Sequence, residues 1–226
     1  MSLVVEESLG RTIDNVAEAL FFGRPIAAPD KKEAALFIAG RQGLPRSYAG
    51  MFAPTDLDFE TGFRVFTGEL IKTGAGTSHI IGEEASRTLF ALGSRERAVT
   101  KALDAANRGL LPKLSHPKRL TGTICCGICD VAFWRNMTVG GVMGIGEVEL
   151  AKAALRLKEN RTGKGDWRRY PFYYTLLALL DLDNKGVMEE LRYAAPLVER
   201  RLKSSHSTKP YDLRRRELAR RILART

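Results

Sequence analysis

The chain has 226 residues and carries 36 Lys and Arg against 26 Asp and Glu, a net charge of +10. That length suits one domain or two small ones, and 44% hydrophobic content is enough for a packed core, which excludes wholesale disorder. No uncharged run exceeds eleven residues, well short of the roughly 18 that span a bilayer, and three cysteines are too few for a disulfide scaffold, so no transmembrane segment or secretory leader is expected and a reducing cytoplasm is the expected compartment.

Leu and Ala far outnumber Val and Ile, which favours helix over sheet. Ile13, Val16, Ala17, Leu20 and Phe21 form a helical stripe that Gly23 and Pro25 end. A second helix opens at Pro29 and Asp30, with Glu33 at capping-box spacing, and runs to about Gly40. Residues 41–54 read as a loop rich in Gly and Pro. Phe59, Phe63, Phe66 and Leu70 predict a third helix, weakened by Gly68, and a fourth follows over Ser78–Leu92. Ser94 caps a fifth, with Val99, Ala102, Leu103 and Ala106 on one face and Gly109 as its end. Leu110–Lys118 holds two prolines and reads as a linker between halves 1–110 and 119–226 of a single all-α domain, 1–226. Helices are then predicted over Leu120–Asn136, Gly146–Asn160, Phe172–Leu182, Val187–Ser204 (with Pro196 as a kink or a join) and Tyr211–Arg225.

Ten helices pair into about five hairpins, one per ~45 residues, the density of helical-repeat arrays. Gly76 and Thr77 recur as Gly122 and Thr123, and carrying that 46-residue offset forward pairs His79 with Cys125 and Glu83 with Cys129. Ala34, Ala35 and Leu36 recur as Ala153, Ala154 and Leu155. Each copy is followed by an Arg, a Gly and an aromatic: Arg41, Gly43 and Tyr48, then Arg161, Gly163 and Trp167. The stretch Arg161–Asp183 sets Gly165, Asp166 and Trp167 before Tyr173, Tyr174 and the apolar run Leu176–Leu180, and Ala34–Phe52 is a degenerate copy. This unit resembles the repeat of the α/α-toroid superfamily, which includes terpenoid cyclases and protein prenyltransferase β subunits. The resemblance implies helical hairpin repeats in a shortened or incomplete toroid, since about five pairs fit where the superfamily uses about six. It carries no catalytic assignment. The Asp-x-Asp-Asp acid motif of squalene cyclases is missing, because Asp181, Leu182, Asp183 and Asn184 lack the last carboxylate, and no Asp, Cys and His set matches the prenyltransferase zinc site.

The charge is concentrated at one end. Residues 192–226 hold eleven basic residues against three acidic ones, a balance of +8, which leaves +2 on the rest. Arg214, Arg215, Arg216, Arg220 and Arg221 are the candidates for an electrostatic partner, which includes nucleic acid. Their aromatic interleaving is poor, so a stacking platform for single strands is not favoured. The solvated outer face of a terminal repeat is the plainer explanation.

The chemistry-bearing residues lie elsewhere. Cys125, Cys126 and Cys129 share faces if they sit on one helix, and Cys126 and Cys129 have the C-x-x-C spacing of redox or metal pairs. A second cysteine pair for a four-ligand metal site is missing, so no cofactor is expected and a metal held by Cys125, Cys126 and Cys129 is not favoured; buried packing among Ile124, Ile128, Ala132 and Phe133 is the plainer explanation. His79 and Glu83 stand one helical turn apart, a spacing for acid–base work or for a surface pair. Trp167, Tyr170, Phe172, Tyr173 and Tyr174 can wall a pocket or pack the repeat. The expected site is a central pocket for an apolar, lipid-like molecule, lined by His79, Glu83, Cys125, Cys129, Asp130, Trp167, Tyr173 and Tyr174. His79 or Glu83 would be the acid–base group and Cys129 a nucleophile or ligand. The alternative is a non-catalytic module that docks a protein or nucleic acid. Exposed repeat edges suit a homodimer or another chain.

Overall fold

The computed structural model describes residues 3–114, 125–140, 147–182 and 184–226. Among these the helices are α1 (Leu9–Phe21), α2 (Ala28–Ala39), α3 (Asp56–Thr61), α4 (Gly74–Leu92), α5 (Arg97–Leu114), α6 (Gly127–Thr138), α7 (Glu147–Glu159), α8 (Phe172–Asp181), α9 (Lys185–Ser204) and α10 (Pro210–Arg225). A 3₁₀ turn, η1 (Tyr48–Gly50), precedes α3, and the two-residue strands β1 (Phe63–Arg64) and β2 (Leu70–Ile71) pair antiparallel after it, Phe63 opposite Ile71. None of these helices is long and apolar enough to cross a membrane.

The first helix forms as its stripe dictates. Ile13 and Val16 are buried, and the Ser8 hydroxyl accepts the Arg11 amide at the N-cap. The fourth begins one turn earlier than predicted, because Thr73 caps it by accepting the Gly76 amide. The expected third helix over Phe59–Leu70 is corrected to a six-residue helix and a hairpin. Gly62 and Gly68 both have φ in the left-handed region, and a Cβ on Gly62 would stand 2.1 Å from the Ile71 carbonyl oxygen. The spacing of its aromatic residues reflects burial of Phe63 and Phe66 from a turn, not one helix face. Gly109 does not end α5, which continues through Pro112. Pro196 lies inside a continuous α9. Of the expected linker, residues 115–118 lie outside the described residues, as do 120–124 of the expected sixth helix.

The core centres on α4, which packs along α6 and also touches α1, α2, α3, α5 and η1. The second half joins through α6 against α8 and through α10 against α8 and α9. Buried ion pairs tie these layers together. The Arg135 guanidinium donates from Nε to Glu84 Oε1 at 2.8 Å and from Nη1 to Asp181 Oδ2 at 2.9 Å, and Tyr174 donates its hydroxyl to the same Glu84 oxygen. Arg214 bridges the chain's ends. It donates to both Asp14 oxygens at 2.7 and 2.8 Å, to Glu18, and to the Phe66 carbonyl at 3.1 Å.

The loops after α2 and α7 close in the same way. Each has a glycine of positive φ, Gly43 or Gly163, and each is pinned by an isolated antiparallel bridge, Gln42 to Phe52 and Arg161 to Trp167.

Candidate functional site

His79 lies on the second turn of α4 and is 3% exposed, with Glu83 one turn further along and fully buried. Cys125 comes two residues before α6, Cys126 is the N-cap of that helix, and Cys129 lies within it. This corrects the premise that the three cysteines share a helix face. Only Cys129 is helical, and Cys125 is exposed because it stands outside the helix. Packing of α4 along α6 brings the pieces together. The Cys125 Sγ lies 3.9 Å from His79 Nδ1, and the ligand atoms of His79, Cys125 and Cys129 all lie within 4.8 Å of one another.

The other imidazole nitrogen, Nε2, faces Glu83 Oε1 at 3.5 Å, an ion-pair separation that falls short of hydrogen-bond geometry. Glu83 is held from its far side, where Asn136 donates from Nδ2 to Oε2 at 2.7 Å. Tyr48 stacks on the imidazole with ring centres 4.0 Å apart and planes at 22°. The imidazole is therefore fixed on both edges and one face.

Two glycines make room for this. A Cβ on Gly109 of α5 would stand 1.9 Å from the Ala49 carbonyl oxygen, so the bare α5 backbone is what lets η1 nest and set Tyr48 over His79. A Cβ on Gly127, the first residue of α6, would stand 2.0 Å from the Arg169 carbonyl oxygen. That close approach brings Tyr170 to stack on Trp134 at 5.5 Å, with its hydroxyl 3.4 Å from Asp130 Oδ2.

The electrostatics separate the two thiols. The Cys125 thiol is pushed down to about 4 by hydrogen bonding from Cys129 and then from His79, both of which favour its thiolate. Its place beside the N-terminus of α6 acts in the same direction. Cys129 goes the other way, raised by its hydrogen bond to Cys125 and by burial. Burial alone would lower His79, but the contact with Cys125 and the neighbouring Glu83 carboxylate outweigh it and raise the imidazole to about 9. Both shifts favour a Cys125 thiolate facing a His79 imidazolium.

The other expected members lie apart from this cluster or behind it. Asp130 is buried on α6 against Tyr170. Trp167 donates its indole N–H to Glu190 Oε2 at 2.8 Å, in a network that Arg161 shares. Tyr173 meets Phe172 edge-on beneath the guanidinium groups of Arg201 and Arg215. Tyr174 is consumed by Glu84. Trp167, Phe172 and Tyr173 form a continuous row of ring contacts, while Tyr174 turns to Glu84 and Tyr170 to Trp134. A recess of about 330 Å³ does exist between α1, α4, α6, α8 and α10, with Phe21, Phe66, Leu177, Arg87, Arg135 and Asp181 in its lining, but neither His79 nor a cysteine lines it.

The basic tail is corrected in part. Arg214 is 4% exposed and engaged by Asp14 and Glu18, Arg215 donates to the Thr67 carbonyl at 2.7 Å, and Arg221 donates to the Phe21 carbonyl at 2.7 Å. The Arg214 charge is met within the fold by two carboxylates, whereas Arg215 and Arg221 are anchored through backbone carbonyls and keep part of their side chains exposed. Arg220 stays largely exposed, paired with Glu217 of its own helix, and Arg216 is half-buried.

Sequence reasoning missed Tyr48 and Asn136 as site residues. Tyr48 carried a signal as the aromatic of the degenerate repeat copy, whereas Asn136 carried none. Comparison with family models, curated proteins and solved structures finds no match to this chain.

Proposed function

We propose that the protein is a cysteine-dependent catalyst with Cys125 as nucleophile, His79 as its proton partner and Glu83 as the group that orients His79. The observation that carries this reading is the position of the imidazole, with Cys125 at 3.9 Å from one nitrogen and Glu83 at 3.5 Å from the other. A nucleophile, a base and an orienting group in that order form the general arrangement of nucleophilic catalysis. Cys125 takes the role in place of Cys129, because Cys125 is exposed whereas Cys129 is 3% exposed and its thiol is held protonated.

We read the scaffold as a shortened α/α toroid of helical hairpins. The matching loops after α2 and α7, each with a left-handed glycine and a closing bridge, support that arrangement. The reading as an interaction module docked through the tail has less support, since Arg214, Arg215 and Arg221 are bonded to the body.

Alkylation by iodoacetamide tests the assignment. An ordinary thiol loses its thiolate below about pH 8.5, so its alkylation rate falls tenfold per pH unit on the acid side. The Cys125 rate should stay level between pH 5.5 and 8. A thiolate of low pKa is intrinsically slower, by about a factor of 100 for a drop of this size, yet at pH 5 its larger ionised fraction still leaves it roughly thirtyfold ahead of an ordinary thiol. His79→Ala should move the fall of the profile to higher pH, part of the way towards that of an ordinary thiol, because the hydrogen bond from Cys129 remains. A wild-type profile that falls through pH 8 like that of a free thiol would overturn the proposal.

A further inference from the structure

The nucleophile assignment leaves Cys129 without a task. It is a buried thiol, 3% exposed, whose sulfur lies within 4.8 Å of both the Cys125 sulfur and a His79 ring nitrogen. Burial closes it to bulk reagents, so the partner it can reach is a modified Cys125. Cys125 stands outside α6, where no helical hydrogen bond fixes its backbone direction, while Cys129 is fixed within the helix. A disulfide needs the sulfurs at about 2.05 Å, so closure requires a shift of about 3 Å or less.

We propose that the protein reduces hydroperoxides, with Cys125 as the thiolate that is oxidised and Cys129 as the thiol that resolves it into a Cys125–Cys129 disulfide. This rests on the reading of Cys125 as the nucleophile and names its substrate class. The Cys125 thiolate attacks the terminal oxygen of ROOH, an S–O bond forms and the O–O bond breaks. The leaving RO⁻ takes the His79 proton and departs as ROH. Sulfur has then lost two electrons to the peroxide and is a sulfenic acid. His79, now neutral, accepts the Cys129 proton. The Cys129 thiolate attacks the Cys125 sulfur, the S–O bond breaks, and hydroxide leaves as water with that proton. An external thiol reductant returns both cysteines to the start, two thiols giving one disulfide.

The electrostatics order these steps. In the resting site the hydrogen bond to Cys125, burial and the Cys125 charge together hold Cys129 protonated. Oxidation makes Cys125 neutral, which removes that charge and frees the imidazole, so the resolving thiol ionises only after the first step. Glu83, buried and held by Asn136, keeps the imidazole aligned through both proton transfers. Cys126 is exposed at the N-cap and forms the C-x-x-C pair with Cys129, so it supplies an internal competitor.

The test treats the reduced full-length protein with one equivalent of hydrogen peroxide, blocks free thiols with iodoacetamide and maps the cysteines by mass spectrometry. The expected product is a Cys125–Cys129 crosslink, with Cys125 oxidised at least about tenfold faster than Cys126. In Cys129→Ser the sulfenic acid on Cys125 should persist and be trapped by dimedone, and Cys126→Ser should behave as wild type. With dithiothreitol present, peroxide consumption should be catalytic in wild type and lost in Cys125→Ser. A crosslink between Cys126 and Cys129, or oxidation of Cys125 no faster than that of Cys126, overturns the proposal. So does a stoichiometric zinc ion, found by elemental analysis, that blocks oxidation until it is chelated. If Cys125 keeps its level alkylation profile but fails these tests, the nucleophile assignment stands and the peroxide activity falls; an ordinary alkylation profile removes both. The wild-type map needs no variant, so a variant that failed to fold would not shield the proposal.

Discussion

Replacing Arg214 with Ala tests whether the basic C-terminal segment holds the fold together. The guanidinium is 4% exposed and donates to Asp14, Glu18 and the Phe66 carbonyl, and it also lies 4.6 Å from the Phe66 ring centre. Removing one partner of a buried ion pair costs about 3–5 kcal/mol, because the charge left behind is neither solvated nor paired. The Asp14 and Glu18 side chains are 20% and 31% exposed, so water can reach them in part and the lower figure of about 3 kcal/mol applies. For a chain of this size each kcal/mol moves Tm by about 2–4 °C, which gives a fall of about 6–12 °C. Differential scanning calorimetry measures it directly, with urea denaturation as a second reading. Arg220→Ala is the control, since that side chain is 64% exposed and its loss should cost less than about 0.5 kcal/mol. Arg214→Lys should fall between the two, because an ammonium keeps the charge but cannot span both Asp14 oxygens in a fork. If Arg214→Ala and Arg220→Ala melt together, the tail is not structural and its charge is available to a partner after all.

Burial would raise the Glu84 carboxyl, but the charges of Arg135 and Arg87 and the hydrogen bonds from Arg135 and Tyr174 bring it below its ordinary value. A lowered carboxyl stabilises the fold above its unfolded-state pKa and loses that contribution as pH falls through the folded-state value. Glu84→Gln should therefore flatten the acid limb of a plot of urea midpoint against pH, and an unchanged slope would show that Glu84 is not the group responsible. Gly109→Ala should cost about 1–3 kcal/mol, because η1 must move away from α5, and should also weaken the Cys125 thiolate through Tyr48 and His79. Alkylation at pH 5.5 beside a thermal melt separates these two effects. Tyr48→Ala should remove the ring stacked on His79, cost about 0.5–1.5 kcal/mol and leave the fold intact by circular dichroism. No change in the Cys125 alkylation profile would mean that Tyr48 only packs.

The helices were legible where an apolar stripe and its end signals coincided, as in α1, where Ile13 and Val16 meet the core and Gly23 stops the run. The segment 59–70 misled because four apolar residues at helical spacing also suit a turn and hairpin whose close contact at Gly62 admits no side chain. Spacing reports which residues seek burial; it does not report the backbone route that buries them. The site shows a similar division. The 46-residue offset paired His79 with Cys125 as equivalent repeat positions; their side chains lie 3.9 Å apart for a different reason, that α4 and α6 pack side by side. The argument from shared helix faces failed, since α6 begins only at Gly127. Trp167, Tyr173 and Tyr174 looked like one wall because they are close in sequence. Glu190 on α9 takes the first, the α9 and α10 arginines Arg201 and Arg215 cover the second, and Glu84 on α4 takes the third. Asn136 could not be found from sequence, because its role depends on which carboxylate α4 turns towards α6.

The clasp between Arg214 and Asp14 joins residues 200 positions apart. During synthesis, α1 leaves the ribosome long before the residue that neutralises its acidic side exists. Until α10 arrives, Asp14 must remain hydrated and Glu18 has only the exposed Arg24 as a partner, so α1 cannot complete its docking. The entropy of closing so long a loop must also be met before the contact returns anything. Nascent chains arrested before residue 210 should therefore leave α1 open to protease while α4 and its neighbours are already protected. The sixteen residues of α10 would then set the moment at which this fold becomes resistant to degradation.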